Sequence, residues 1–144
     1  MILRPLTEAA AAELLGWRYP GRYETYDFDG GEDLSSHYAA EEGGALVGYC
    51  CFGAEARVDG MREESGTVDV GWGLRPDLMG EGRGRAFAEA ILALARELYR
   101  PERFRVSVLE WNERSQRTAA SAGFAPSGSV KHEEGRFLLF ERPA

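Results

Sequence analysis

A chain of 144 residues with a formal net charge of −7 and 44% hydrophobic content is long enough for one domain, residues 1–144, with a real core. The acidic balance argues against a dedicated nucleic-acid binder, which carries a basic face. No apolar run reaches the length of a membrane span, and Met1-Ile2-Leu3-Arg4-Pro5 lacks the form of a secretory leader. The two cysteines, Cys50 and Cys51, are adjacent on an expected strand and point to opposite faces. Neither a disulfide between them nor a metal pattern is expected, and a reduced, cytoplasmic protein is the simplest reading.

In chain order, Met1 to Arg4 reads as a strand, and Thr7 caps a helix to about Leu15 that Gly16 ends. Ser36 to Glu41 and Ala45 to Ala54 read as strands around a turn at Glu42-Gly43-Gly44. Arg57 to Glu64 fits either a strand or a loop. Thr67 to Leu74 is a strand, followed by a helix from Ala86 to Leu98 with Phe87, Ile91, Leu94 and Leu98 on one face. Phe104 to Leu109 is expected to lie parallel to Thr67–Leu74 across that helix, by the right-handed crossover rule. A short helix capped by Asn112 and ended by Gly123 comes next. A hairpin, Ser127 to His132 and Arg136 to Glu141 with a turn at Glu133-Glu134-Gly135, closes the chain.

Between strand and helix stands the cluster Met79-Gly80-Glu81-Gly82-Arg83-Gly84-Arg85. Alternating glycines let successive N–H groups turn into one concavity, and the following helix adds its positive end. Such a place suits a phosphate or pyrophosphate. It is not a Walker loop, since no lysine or hydroxyl follows Gly84. Arg85 and Phe87 stand at the closing positions of a dinucleotide fingerprint, which excludes that pattern too. Further on runs Asn112-Glu113-Arg114-Ser115, a short helix, then Gly123-Phe124.

The first cluster resembles the acetyl-CoA pyrophosphate loop of the GNAT superfamily of N-acetyltransferases, Gln/Arg-x-x-Gly-x-Gly/Ala, with Met79 in the Gln/Arg place. The second resembles the same superfamily's Asn-x-Arg-Ala/Ser signature. Its form is most similar to the branch acetylating N-termini of ribosomal proteins, which carries Asn-x-x-Ser. The resemblance covers nearly the whole chain. It implies an α+β GNAT (acyl-CoA N-acyltransferase) fold: a mixed, mostly antiparallel twisted sheet whose central parallel strand pair splays apart, flanked by helices.

The resemblance also implies an activity, acetyl transfer from acetyl-CoA to a primary amine without a metal, and a set of site residues. Gly80, Glu81, Gly82, Arg83, Gly84 and Arg85, with Met79, would hold the pyrophosphate. Leu74 and Asn112 would hold the pantetheine arm, and the Trp72 N–H would face the thioester oxygen. Gly71 and Gly73 beside Trp72 suit a bulge where a ligand comes close. Asp69, five residues before Leu74, is the candidate general base, or else a solvent-facing aspartate. Its rivals are Glu110, His37 and the acids of the Tyr23 to Asp33 loop. Many members use a tyrosine seven residues after the motif asparagine, but Ala119 stands there. Ser115, one turn earlier on that helix face, is then the candidate general acid, or only a first-turn serine.

The acceptor is expected against Trp17 to Asp29, whose aromatics and acids suit an amine, although the same stretch could form a lid packed inward. A catalytically idle acyl-CoA-binding module on the same fold is the alternative. A homodimer is compatible with either.

Overall fold

The computed structural model describes residues 1–133 and 135–144. The chain runs β1 (Ile2–Pro5), α1 (Glu8–Leu15), β2 (Tyr38–Glu42), β3 (Ala45–Phe52), β4 (Thr67–Leu74), α2 (Gly84–Tyr99), β5 (Arg103–Leu109), α3 (Glu113–Ser121), β6 (Ala125–His132) and β7 (Gly135–Pro143). Short 3₁₀ turns occupy Gly21–Tyr26, Gly53–Ala56 and Pro76–Leu78. Thr7 caps α1 by accepting from the Ala10 N–H, as its place in the sequence predicts. The span Arg57 to Glu64 is loop, not strand. In the last turn, Glu134 lies outside the described residues.

All strands join one sheet in the order β1-β2-β3-β4-β5-β7-β6. Neighbours are antiparallel except β4 and β5, which run parallel across α2 as the crossover rule requires. Their pairing stops early: only Thr67, Val68 and Asp69 pair with Arg103, Phe104 and Arg105. From Val70 to Leu74, β4 stays with β3 alone and leaves a wedge beside β5. That wedge opens one end of the sheet between β4 and β5.

The pleat sends Val70, Trp72 and Leu74 toward α2, into a core with Phe87, Ile91, Leu92, Phe104 and Val106. Asp69, Gly71 and Gly73 face the other way, where α1, Trp17, Leu34 and Tyr49 form a second cluster. On α2 the buried stripe is Phe87, Ala88, Ile91, Leu92 and Ala95. Leu98, expected inside, is 45% exposed. The two alanines let the helix sit close to the sheet, which turns its contact face away from Leu98.

The expected bulge at Gly71 and Gly73 is absent. Their register with β3 is regular, and the irregularities lie at Ala40/Glu41 on β2 and Pro126/Gly128 on β6. Close packing explains the glycines instead. A Cβ at Gly73 would come within 2.5 Å of the Tyr49 ring, and one at Gly71 within 3.0 Å of Cys51 Sγ. Both cysteines are free and buried, with thiols pushed up to about 12 by burial.

Candidate active site

A cleft of about 580 Å³ opens where β4 leaves β5. Its walls are the end of β4, the glycine loop, one face of α3, and the segment Tyr19–Tyr26. Met79, Gly80, Gly82, Arg83, Gly84, Arg85, Trp72, Leu74, Asn112 and Ser115 all line it, so most of the residues singled out in sequence converge. Two do not. Glu81 points away and pairs with Arg83 at 3.7 Å, and Asp69 is not on the cleft wall.

The glycine loop is shaped for an anion. Gly80 and Gly82 hold φ of +76° and +77°, a conformation that turns alternate N–H groups to one side. Gly84 begins α2 against α3, and a Cβ there would lie 2.5 Å from Thr118 Oγ1. Around this cradle stand Arg83, Arg85, Arg114 and Arg117. Among the described residues lining the cleft there is no carboxylate, so a chain of net charge −7 has built a positive groove. Arg83 is tied to Glu42 at 2.9 Å. Arg114 sits beside Gly80, its guanidinium over the Tyr23 ring.

Helix α3 presents Ser115, Thr118 and Ser121 to the cleft. Asn112, 3% exposed, caps it by accepting from the Ser115 N–H at 3.1 Å. Its amide donates to Tyr26 Oη at 2.8 Å. The spacing of Ser115 and Ala119 predicts one shared helix face, but Ala119 is turned off the open side and fully buried in the core. Serine 115 is offset onto the cleft side because α3 packs on α2 through Ala119 and Ala122.

Asp69 is neither on the cleft wall nor facing solvent. It is 1% exposed, with Arg105 at 2.6 Å and Arg57 at 3.0 Å on its two oxygens. Arg105, buried with it, also reaches Glu64 and the Arg62 carbonyl. The rivals are placed as follows. His37 is buried behind Tyr49 (7% exposed), its Nδ1 without a hydrogen-bond partner among the described residues, and burial lowers its pKa against the pull of Glu55 and Asp33. Glu110 is exposed near Gly135. The loop acids serve the loop: Asp27 accepts from the Tyr19 N–H, Glu32 from the Asp29 and Gly30 amides, and Asp33 from the Ser35 amide.

The segment Tyr19–Tyr26 folds over the slot as an aromatic wall. Tyr23 packs edge-on to Trp111 at 5.2 Å, and Tyr19 donates to the Leu74 carbonyl at 2.6 Å. Burial and the nearby Asp27 raise the Tyr19 pKa, so its hydroxyl stays protonated and donating. Sequence reasoning gave no site role to Tyr49, Arg117 or Thr118, and met Arg114 only as part of the Asn112–Ser115 motif. The α3 residues were visible there as positions three and four apart on one helix face, whereas Tyr49 carries no local signal.

The model of the acetyltransferase (GNAT) domain matches residues 1–125. No curated protein sequence matches the chain. Among solved structures, aminoglycoside acetyltransferase AAC(6')-Ib with ribostamycin and coenzyme A superposes with a TM-score of 0.75 at 22% identity, over 98% of this chain and 92% of that one. A chimera of spermidine N-acetyltransferase SpeG from Vibrio cholerae and hSSAT gives 0.75 at 11% identity, covering 99% and 94%. Ribosomal-protein-S5-alanine acetyltransferase from Vibrio fischeri gives 0.64 at 13% identity, covering 98% and 91%.

Proposed function

Because the chain belongs to the acetyltransferase (GNAT) domain family, we propose that it is an N-acetyltransferase using acetyl-CoA and a primary amine. One observation carries this reading: a glycine cradle and four arginines lead directly to the splayed end of β4. The residues fit the co-substrate. Gly80 and Gly82 turn N–H groups toward the place of a pyrophosphate, at the positive end of α2. Arg85 and Arg117 are placed to meet further phosphate charge, and Leu74 and Asn112 line the path of a pantetheine arm.

When bound, acetyl-CoA supplies an activated acyl carbon on a thiol leaving group. The chain's part is positioning and charge. The Trp72 amide, on the cleft wall, would donate to the thioester oxygen and take up its developing charge. The amine lone pair forms the new C–N bond as the C–S bond breaks, its electron pair leaving on sulfur. Ser115, half-buried on the cleft wall, supplies a proton to sulfur, and the proton shed by nitrogen returns through water. Asp69 is better suited to structure than to base catalysis, because two guanidiniums already occupy its oxygens.

The Asn112-x-x-Ser115 form and the alanine at 119 favour the branch acting on protein N-termini. The idle acyl-CoA-binding module keeps one observation in its favour, the sequestered Asp69. Thiol release measured across an amine panel, beside acetyl-CoA affinity by calorimetry, separates the two. Turnover with any amine establishes the enzyme; binding without turnover establishes the module; no binding overturns both.

A further inference from the structure

Tyr49 is a wall residue of the cleft that neither the glycine loop nor α3 explains. It lies on β3 opposite Gly73, and the pleat sends it to the face away from α2. Its ring is fixed among Trp17 at 6.3 Å, Phe28 at 5.3 Å and His37 at 6.1 Å between ring centroids. A Cβ on Gly73 would lie 2.6 Å from the Tyr49 hydroxyl, so that hydroxyl hangs directly over the backbone between Trp72 and Leu74. Position 73 is glycine because the phenol occupies the space.

The hydroxyls of Tyr19 and Tyr26 are already engaged, by the Leu74 carbonyl and the Asn112 amide. That of Tyr49 opens on the cleft and makes no hydrogen bond to a described residue. A phenol clamped by three rings, with its polar end presented at the reaction centre, is preorganised for a ligand atom. Resting on the acetyl-transfer reading, we propose that the Tyr49 hydroxyl receives the acceptor nitrogen and holds its lone pair toward the thioester carbon.

The phenol oxygen accepts one N–H of the incoming amine. The titratable groups around it are Tyr19 and Tyr26 from the aromatic segment, His37 from the stretch before β2, and Cys51 from its own strand. Burial raises Tyr49 itself, Tyr19 and Cys51, and lowers His37, so those four are neutral near pH 7. With no charged partner at the nitrogen, the acceptor reacts as the free amine. An α-amine, with pKa near ~8, is then favoured over a lysine-like amine near ~10.4 at neutral pH.

The test is Tyr49→Phe, which keeps the ring and removes only the hydroxyl. The expected result is a fall of about tenfold in kcat/KM for the amine, the size of one hydrogen bond, with acetyl-CoA affinity unchanged. The melting temperature should not fall, since the hydroxyl has no partner to lose. In the wild type, the rise of kcat/KM with pH should move with the pKa of whichever amine is supplied. Should Tyr49→Phe fail to fold, Gly73→Ala displaces the same ring and should raise the amine KM without weakening acetyl-CoA. Wild-type kinetics in Tyr49→Phe, loss of acetyl-CoA affinity in step with turnover, or a pH profile indifferent to the amine overturns the assignment. A wild type that binds acetyl-CoA yet turns over no amine overturns the transferase reading itself, and this assignment with it.

Discussion

The two ends of the cleft are built by opposite means. At the phosphate end, consecutive residues do the work: Gly80, Gly82 and Gly84 shape the backbone, and Arg85 follows within one turn. At the acceptor end, Tyr19 and Tyr26 from one segment, Tyr49 from β3 and Trp72 from β4 meet only after the sheet has formed. The first end recognises charge, which a short loop at a helix start supplies locally. The second, on the reading proposed above, would recognise shape and a neutral nitrogen, which needs walls on several sides. Perturbing a local device should affect one ligand, whereas perturbing an assembled one should affect the fold beneath it.

The largest effect should come from the floor of the acceptor end. Asp69 sits on the same face of β4 as Gly71 and Gly73, balancing Arg57 and Arg105. Asp69→Asn leaves the buried Arg105 guanidinium with only the half-exposed Glu64 as counter-charge, and breaking a buried pair typically costs about 3–5 kcal/mol. The lower end applies here, since Asn keeps one acceptor oxygen. Chemical denaturation should show that loss, while turnover per folded molecule stays within a few-fold of wild type. A folded, stable Asp69→Asn protein with turnover abolished at neutral pH and restored at high pH would return the aspartate to the role of base.

Next in size is the phosphate end. At Gly82 a side chain has open space in the protein, but φ is +77° and the added atoms would stand in the cradle. Gly82→Val should weaken acetyl-CoA by about 100-fold, the loss of one or two charge-assisted hydrogen bonds. Calorimetry reads this directly, and affinity within a few-fold of wild type would remove the cradle assignment.

What could be read from sequence follows the same division. The strand Thr67–Leu74, the cap at Thr7 and the cap at Asn112 were legible because their signals are local: alternation, and a side chain reaching three residues along. The glycine loop was legible for the same reason. Leu98 misled, because periodicity gives a stripe but not how the sheet rotates it, and Leu92 and Ala95 are buried in its place. Asp69 shows where local reading stops. Its strand position was right, yet Arg57 and Arg105 lie 12 and 36 residues away, and nothing nearby in sequence announces that they neutralise it. Tyr49 left no trace because its meaning depends on Gly73 across the ladder.

Between the two ends stands Ser115. A thiol with pKa near ~8.5 leaves almost unaided at neutral pH, so removing its proton donor should cost about tenfold, below the ~10²–10⁴ typical of general acids. Ser115→Ala should lower kcat by that amount and leave acetyl-CoA affinity intact, because the cap uses its backbone N–H. Introducing a tyrosine at the family's usual place should not rescue it. Ala119 is fully buried, and Ala119→Tyr overpacks the α2–α3 contact at a cost of about 1–3 kcal/mol or more. Recovery of rate in the double variant would mean that the side chain at 119 can reach the cleft after all.

The smallest effect sharpens the phosphate end by separating its two arginines. Arg83 is engaged by Glu42 at 2.9 Å and by Glu81 at 3.7 Å, so to hold a phosphate it must exchange one ion pair for another. Arg85 lines the same cradle with no ion pair among the described residues, and its charge is available outright. Both are exposed, where a pair of charges is worth at most about 1 kcal/mol. Arg85→Ala should therefore weaken acetyl-CoA by about two- to fivefold, and Arg83→Ala by less, since Glu42 and Glu81 no longer need to be displaced. Raising ionic strength should narrow the Arg85→Ala deficit, as screening removes what the substitution had already removed. A deficit that is equal in the two variants, or that persists in high salt, would mean that these side chains shape the loop rather than neutralise the ligand.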